Sequence, residues 1–215
     1  KLPEHFYLSG GYKYVKTERN KKGESDPLEI LPFNMDNIFF VDLKWSGVDF
    51  LEARVGYEYL DRDVHYRTPD SHFNPAKRFY YAAQNRDTVK AILDIFPLEN
   101  LNLGLEYRYM NTNYSDTIFG LLSDKRHELN ISANYTIGKI AQVYGYGDYG
   151  WIKFDQLQQQ TEGLVTPANW IAKQKDITYG YGVGAKIHVI PNKLMLVFQH
   201  DYLKSNGSVD FTLDP

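Results

Sequence analysis

The stretch ITYGYGVGAKIHVI, Ile177 to Ile190, alternates between two kinds of side chain. Every second residue is apolar or aromatic: Ile177, Tyr179, Tyr181, Val183, Ala185, Ile187 and Val189. Between them stand Thr178, Gly180, Gly182, Gly184, Lys186 and His188. A period of two belongs to a β-strand, whose side chains point alternately to opposite faces. The stretch therefore reads as a strand with one greasy face and one small or polar face. Three glycines on one face are costly, because glycine loses more backbone entropy on folding and offers no side chain to pack. The face that bears them also bears a lysine and a histidine.

The same alternation recurs along the chain, and helical periodicity is almost nowhere. It predicts nine long strands, at about 5–18, 36–46, 48–63, 86–96, 100–114, 125–137, 139–155, 174–190 and 193–205. Leu51, Ala53, Val55, Tyr57 and Tyr59 oppose Glu52, Arg54, Gly56 and Glu58. Leu101, Leu103, Leu105, Tyr107 and Tyr109 oppose Asn102, Gly104, Glu106 and Arg108. The connections alternate as well. Tight ones fall at 46–47, 97–100, 137–139 and 190–192, and long polar ones at 19–35, 64–85, 115–124 and 156–173. Outer-membrane barrels join their strands by short periplasmic turns and long external loops, whereas a soluble sandwich has no reason to alternate this way. Each strand is long enough to cross hydrocarbon at a tilt, which takes about 9–11 residues. The expected fold class is all-β, a single antiparallel transmembrane β-barrel segment over residues 1–215 in a bacterial outer membrane.

Composition agrees. The chain has 215 residues, no cysteine, 18 tyrosines, 3 tryptophans and a net charge of −3. Tyrosine and tryptophan suit a boundary where one end is dry and the other wet. A mean hydropathy of −0.48 excludes a bundle of membrane helices, but not a barrel with a polar interior. The weak charge gives no argument for nucleic acid. Without cysteine the chain forms no disulfide, no thiolate metal site and no covalent haem attachment. Nine crossings leave the chain on the external side, while closed bacterial barrels have even strand numbers. The expectation is a stretch of a larger barrel, or a tenth strand beginning over Ser208–Leu213.

Several phrases resemble the decahaem-cytochrome-associated outer-membrane barrels of the MtrB/PioB type. They are Asn85-Arg86-Asp87-Thr88-Val89-Lys90, then Phe96-Pro97-Leu98-Glu99-Asn100-Leu101-Asn102-Leu103 and Tyr107-Arg108-Tyr109. Asn113-Tyr114-Ser115 with Gly120-Leu121, Asn169-Trp170, Asp176, and Ile190-Pro191-Asn192-Lys193-Leu194-Met195-Leu196 complete the ordered set, which covers about 75 to 205. The order is similar to that family's carboxy-terminal part. The family's amino-terminal cysteine pair is absent, and its closing strand is not evident. The resemblance implies a sheath that spans the outer membrane around part of a multihaem c-type cytochrome. Electrons then pass haem to haem between periplasm and exterior. It implies that the barrel binds no haem directly and catalyses nothing. The implied partners are the cytochrome inside, outer-membrane lipid outside, and an extracellular cytochrome as a further candidate.

The candidate partner-contact residues are the polar side chains expected on the inner face. They are Lys44, Glu52, Arg54, Glu58, Lys90, Asp94, Glu106, Arg108, Lys186 and His188, with Gly180, Gly182 and Gly184. Lys13, Asp42 and Asp201 are expected to point the same way. Either the glycines leave room for a guest to approach closely, or they relieve crowding, including under a tyrosine of the same barrel. Gly180-x-Gly182-x-Gly184 is no dinucleotide fingerprint, since it lies within a strand with no helix after it. The six histidines show no metal spacing. Glu24, Asp26, Asp61, Asp63 and Asp116 offer oxygen ligands for calcium but no ordered motif. The alternatives to a cytochrome sheath are a diffusion or substrate-specific porin, an outer-membrane hydrolase built on Asp and His, and a soluble all-β binding protein.

Overall fold

The structure, a computed structural model, describes residues 5–18, 33–65, 83–115, 120–160, 168–190 and 193–214. Nine strands form one antiparallel sheet: β1 (Phe6–Glu18), β2 (Phe33–Val48), β3 (Leu51–His65), β4 (Gln84–Leu98), β5 (Leu101–Asn113), β6 (Gly120–Ile137), β7 (Ala141–Gln160), β8 (Ala168–Ile190) and β9 (Leu194–Asp214). Each strand pairs with its neighbours in sequence, so the sheet is a pure meander. β1 and β9 are its two edges and do not pair with each other among the described residues.

The sheet has no core. Among the described residues only Leu60 and Ala172 are buried apolar side chains. Large apolar residues such as Phe39, Val55, Ile131, Val183 and Phe198 stay more than half exposed, at 51, 54, 53, 52 and 58%. A water-soluble sandwich would bury these against a second layer. A sheet facing hydrocarbon has no such need.

The outer apolar limit shows how the strands lie. On β1 the apolar face runs up to Tyr14 before Lys16 and Glu18; on β9 it ends at Tyr202 before Lys204 and Asn206. The cross-strand row from Tyr202 passes through Tyr181, Gly147, Ile131, Leu105, Leu93, Ala53 and Trp45 to Phe6. Phe6 lies eight residues below Tyr14, so the limit falls by one residue per strand across eight steps. A rise of about 3.3 Å for each lateral step of about 4.8 Å corresponds to a tilt near 35°. That tilt is in the range for transmembrane barrels, about 35–45°. On β6 the outer face carries no Asp, Glu, Lys or Arg from His127 to Ile137, ten residue steps. At that tilt they span about 27 Å, the height of a barrel's apolar band of about 25 Å.

Several boundaries differ from the sequence reading. The connection placed at Ser46-Gly47 is at Asp49-Phe50, because β2 continues to Val48. Gly47 stays in the strand, where a Cβ would lie 2.6 Å from Nε1 of Trp45, so the indole covers it. Glu99-Asn100 and Gly138–Ile140 form the next two tight turns, and Gly138 has a φ of +53°, a conformation glycine adopts without strain. Pro97 sits at the register shift between Ile95 and Leu98, where its missing N–H breaks no ladder bond. Residues 191 and 192 of the fourth turn lie outside the described residues. β6, β7 and β8 extend beyond the expected 125–137, 139–155 and 174–190 at their long-connection ends. Ser208–Leu213 does not start a tenth strand: it continues β9, paired with β8 as far as Asn169 opposite Asp214.

Candidate functional site

The pairing register brings all the expected inner residues to one face. One row runs Lys44, Arg54, Ile92, Glu106, Asn130, Asp148 and Gly180. The next runs Asp42, Gly56, Lys90, Arg108, Glu128, Gly150 and Thr178. Lys13, Glu52, Glu58, Asp94, Gly182, Gly184, Lys186, His188 and Asp201 occupy the same parity.

Seven of the charges on this wall are joined in ion pairs. Lys44 Nζ is 2.8 Å from Glu52, and Arg54 is 3.4 Å from the same carboxylate. Lys90 and Arg108 stand directly opposite each other, a repulsive arrangement in isolation. Glu106 lies between them, 3.3 Å from Lys90 and 2.9 Å from Arg108, and Glu128 is 3.4 Å from Arg108 on its other side. The partners are about a quarter to two-fifths exposed, so each pair is worth roughly 0.2–1 kcal/mol. Their larger effect is local neutrality. A groove of about 360 Å³ runs beside this network, lined by Asp42, Glu58, Arg86, Lys90, Arg108 and Met110 among others.

The glycine column is covered from within the sheet. A Cβ on Gly182 would meet the ring of Tyr146 and the carboxylate of Asp201. One on Gly184 would meet the ring of Tyr144. Both tyrosines reach over β8 to β9: Tyr146 donates to Asp201 at 2.5 Å, and Tyr144 donates to Gln199 at 3.2 Å. Lys186 lies 5.6 Å from the centre of the Tyr144 ring. Of the two readings of these glycines, the structure gives the second: aromatic rings of β7 occupy the space. Gly180 differs, since its Cβ would lie 2.8 Å from the backbone carbonyl of Tyr202. His188 is exposed near the short-turn end, its backbone N–H donating to Ile140 at 2.8 Å.

At the long-connection end of the same face lies a collar that the sequence did not single out. Arg62 donates to both carboxylate oxygens of Asp36, at 2.7 and 2.6 Å. Arg126 grips Asp124 in the same two-pronged way, with its shortest contact 2.6 Å. Arg86 donates to Thr112 at 3.3 Å. Asn34, Asp36, Gln84, Thr112 and Asp124 are all under 10% exposed. Beside them, burial pushes the Tyr114 hydroxyl above its ordinary range, with Asp124 adding to the effect and Arg86, Arg126 and Arg62 opposing it. The available signal was the same-face pair Asp124-x-Arg126, matching Glu52-x-Arg54 and Glu106-x-Arg108.

Asp61 and Asp63, weighed for calcium, point to the apolar face, whereas Arg62 between them points to the other face and Asp36. Glu24, Asp26 and Asp116 lie outside the described residues. Among the described residues no group of three or more histidine or carboxylate side chains gathers as a metal site.

A one-layer antiparallel meander with a tilted apolar band, aromatic limits and a polar opposite face is the wall of a transmembrane β-barrel. The family model described as "Putative outer membrane beta-barrel porin, MtrB/PioB" matches residues 1–214. The chain belongs to this outer-membrane family. It is similar to the "Outer membrane protein MtrB" of Shewanella baltica (strain OS185), at 24% identity over 206 residues. That match covers 94% of the chain and 28% of the relative, so the chain spans under a third of the relative's length.

Proposed function

We propose that this outer-membrane barrel sheathes and positions a multihaem c-type cytochrome for electron transfer across the membrane. The observation that carries the reading is the inner wall, where charges of both signs are interspersed and those from Lys44 to Glu128 across β2 to β6 include a network of ion pairs. A selective pore sets its preference with rings of one sign. A wall of mixed charge, partly neutralised in pairs and carrying hydrogen-bonded tyrosines, instead presents a polar surface against which a folded protein can rest. The likeness to the cytochrome-associated barrels supports the same reading. The long connections face the exterior and the short turns the periplasm, as in bacterial barrels generally. In this role the chain contributes no catalysis. It keeps lipid away from the haem chain and holds that chain across the bilayer. Haem in this reading belongs to the guest, in keeping with a chain that has no cysteine for covalent attachment.

The test is a gentle detergent extraction of native outer membranes and purification through this chain, followed by a haem-stained gel and a visible spectrum. A stoichiometric c-type cytochrome travelling with the chain is the expected result. A colourless, detergent-stable barrel that conducts solutes in reconstituted membranes would overturn it. That outcome would favour the porin reading, to which the open groove beside Lys90 and Arg108 gives some structural footing.

A further inference from the structure

The outer face carries a second charged feature, on the opposite side from the wall just described. Lys125, Lys153 and Lys175 stand directly opposite one another on β6, β7 and β8. Like charges in such a row repel. None of the three has an ion-pair partner among the described residues. The acids of the next row, Asp155 and Asp210, flank Lys173 instead.

Just below the row lies an aromatic shelf. Tyr109, His127 and Trp151 follow across β5, β6 and β7, with His127 4.8 Å from Tyr109 and 4.9 Å from Trp151 between ring centres. Lys153 Nζ sits 4.3 Å from the Trp151 ring centre. Tyr107 bonds His127 at 2.7 Å from the band side. Such aromatic belts mark the level of lipid headgroups. The apolar band begins immediately beneath. Three unneutralised amines, in a row about 10 Å wide, thus meet the membrane surface where acyl chains give way to headgroups.

We infer that Lys125, Lys153 and Lys175 bind the phosphate groups of a phosphorylated glycolipid in the outer leaflet. Its anions would relieve the repulsion within the row and its acyl chains would lie on the band below. The inference uses the orientation with long connections outside, and is independent of what the barrel encloses. The occupant is a lipid rather than a free anion because the lysines adjoin the band and lie on the lipid-facing parity.

The test uses the full-length protein in detergent, mixed with diphosphorylated lipid A or its fully dephosphorylated form, and reads bound lipid by native mass spectrometry. The phosphorylated form should be retained about tenfold better. K125Q/K153Q/K175Q should lose that preference, and K125R/K153R/K175R should keep it. The single variant K153Q, expected to lose it in part, covers the case in which the triple variant fails to assemble. Equal retention of both lipids, or an unchanged preference in the glutamine variants, would overturn the inference. So would displacement of the lipid by millimolar inorganic phosphate, which would mark a site for free anions.

Discussion

Gly182→Ala is the substitution whose outcome follows most directly from the inner wall. A methyl group there meets the Tyr146 ring and the Asp201 carboxylate, so the tyrosine must swing off β8. Its 2.5 Å bond to Asp201 goes with it. That bond is open to solvent and adds little, but forcing a methyl group into the filled space over the buried Gly182 costs about 1–3 kcal/mol. Against this, replacing glycine within a strand recovers about 0.5–1 kcal/mol of backbone entropy. The net expectation is a loss of about 1–2 kcal/mol. In a Tyr146→Ala background there is no ring to displace, and the same Gly182→Ala change should become neutral or mildly stabilising. The four proteins form a double-mutant cycle whose coupling is the steric cost of displacing the ring, about 1–3 kcal/mol. Reversible urea unfolding in lipid vesicles, followed by tryptophan fluorescence, measures it. An equal loss in both backgrounds would refute the idea that Tyr146 is what Gly182 accommodates.

Gly180→Ala should behave differently, because its Cβ would face the Tyr202 carbonyl at 2.8 Å and a backbone cannot swing aside. We expect a loss of about 1–3 kcal/mol that Asp148→Ala does not rescue, read by the same unfolding assay. In the collar, Asp124→Asn strips the partner from Arg126, whose side chain is 41% exposed while that of Asp124 is 3%. Discounted for that exposure, the loss should be about 1–2 kcal/mol, whereas Glu18→Gln, in a pair 46% exposed on both sides, should cost under about 0.5 kcal/mol. For the faces, Ile131→Arg in the middle of the band should cost about 2–4 kcal/mol. Asn130→Arg, one residue away but between Glu106 and Asp148, should cost far less. Comparable losses at both positions would contradict the assignment of faces.

Much of this architecture could be read from the chain because a period of two survives wherever one face meets lipid and the other does not. Leu101 to Tyr109 and Ile177 to Val189 show it plainly, and both are strands as expected. The alternation fades above the band, where both faces are polar. Ser123-Asp124, Gln156 and Lys173 therefore read as loop, although they pair as strand. Gly47 was misread for the opposite reason: glycine signals a turn, but the Trp45 ring that covers it comes from two residues earlier on the same face.

Parity along each strand thus determined, from sequence alone, which side chains share a face, and the polar set from Lys44 to Lys186 follows from it. What parity cannot supply is the register between strands, since that depends on hydrogen bonds between segments distant in the chain. Only the tertiary structure placed Glu106 between Lys90 and Arg108, laid Tyr146 over Gly182, joined Asp36 to Arg62 across 26 residues, and set three lysines side by side above the aromatic shelf. A one-residue slip would turn each of these side chains to the other face. The class of the molecule was therefore written along its strands, and its binding surfaces were decided between them.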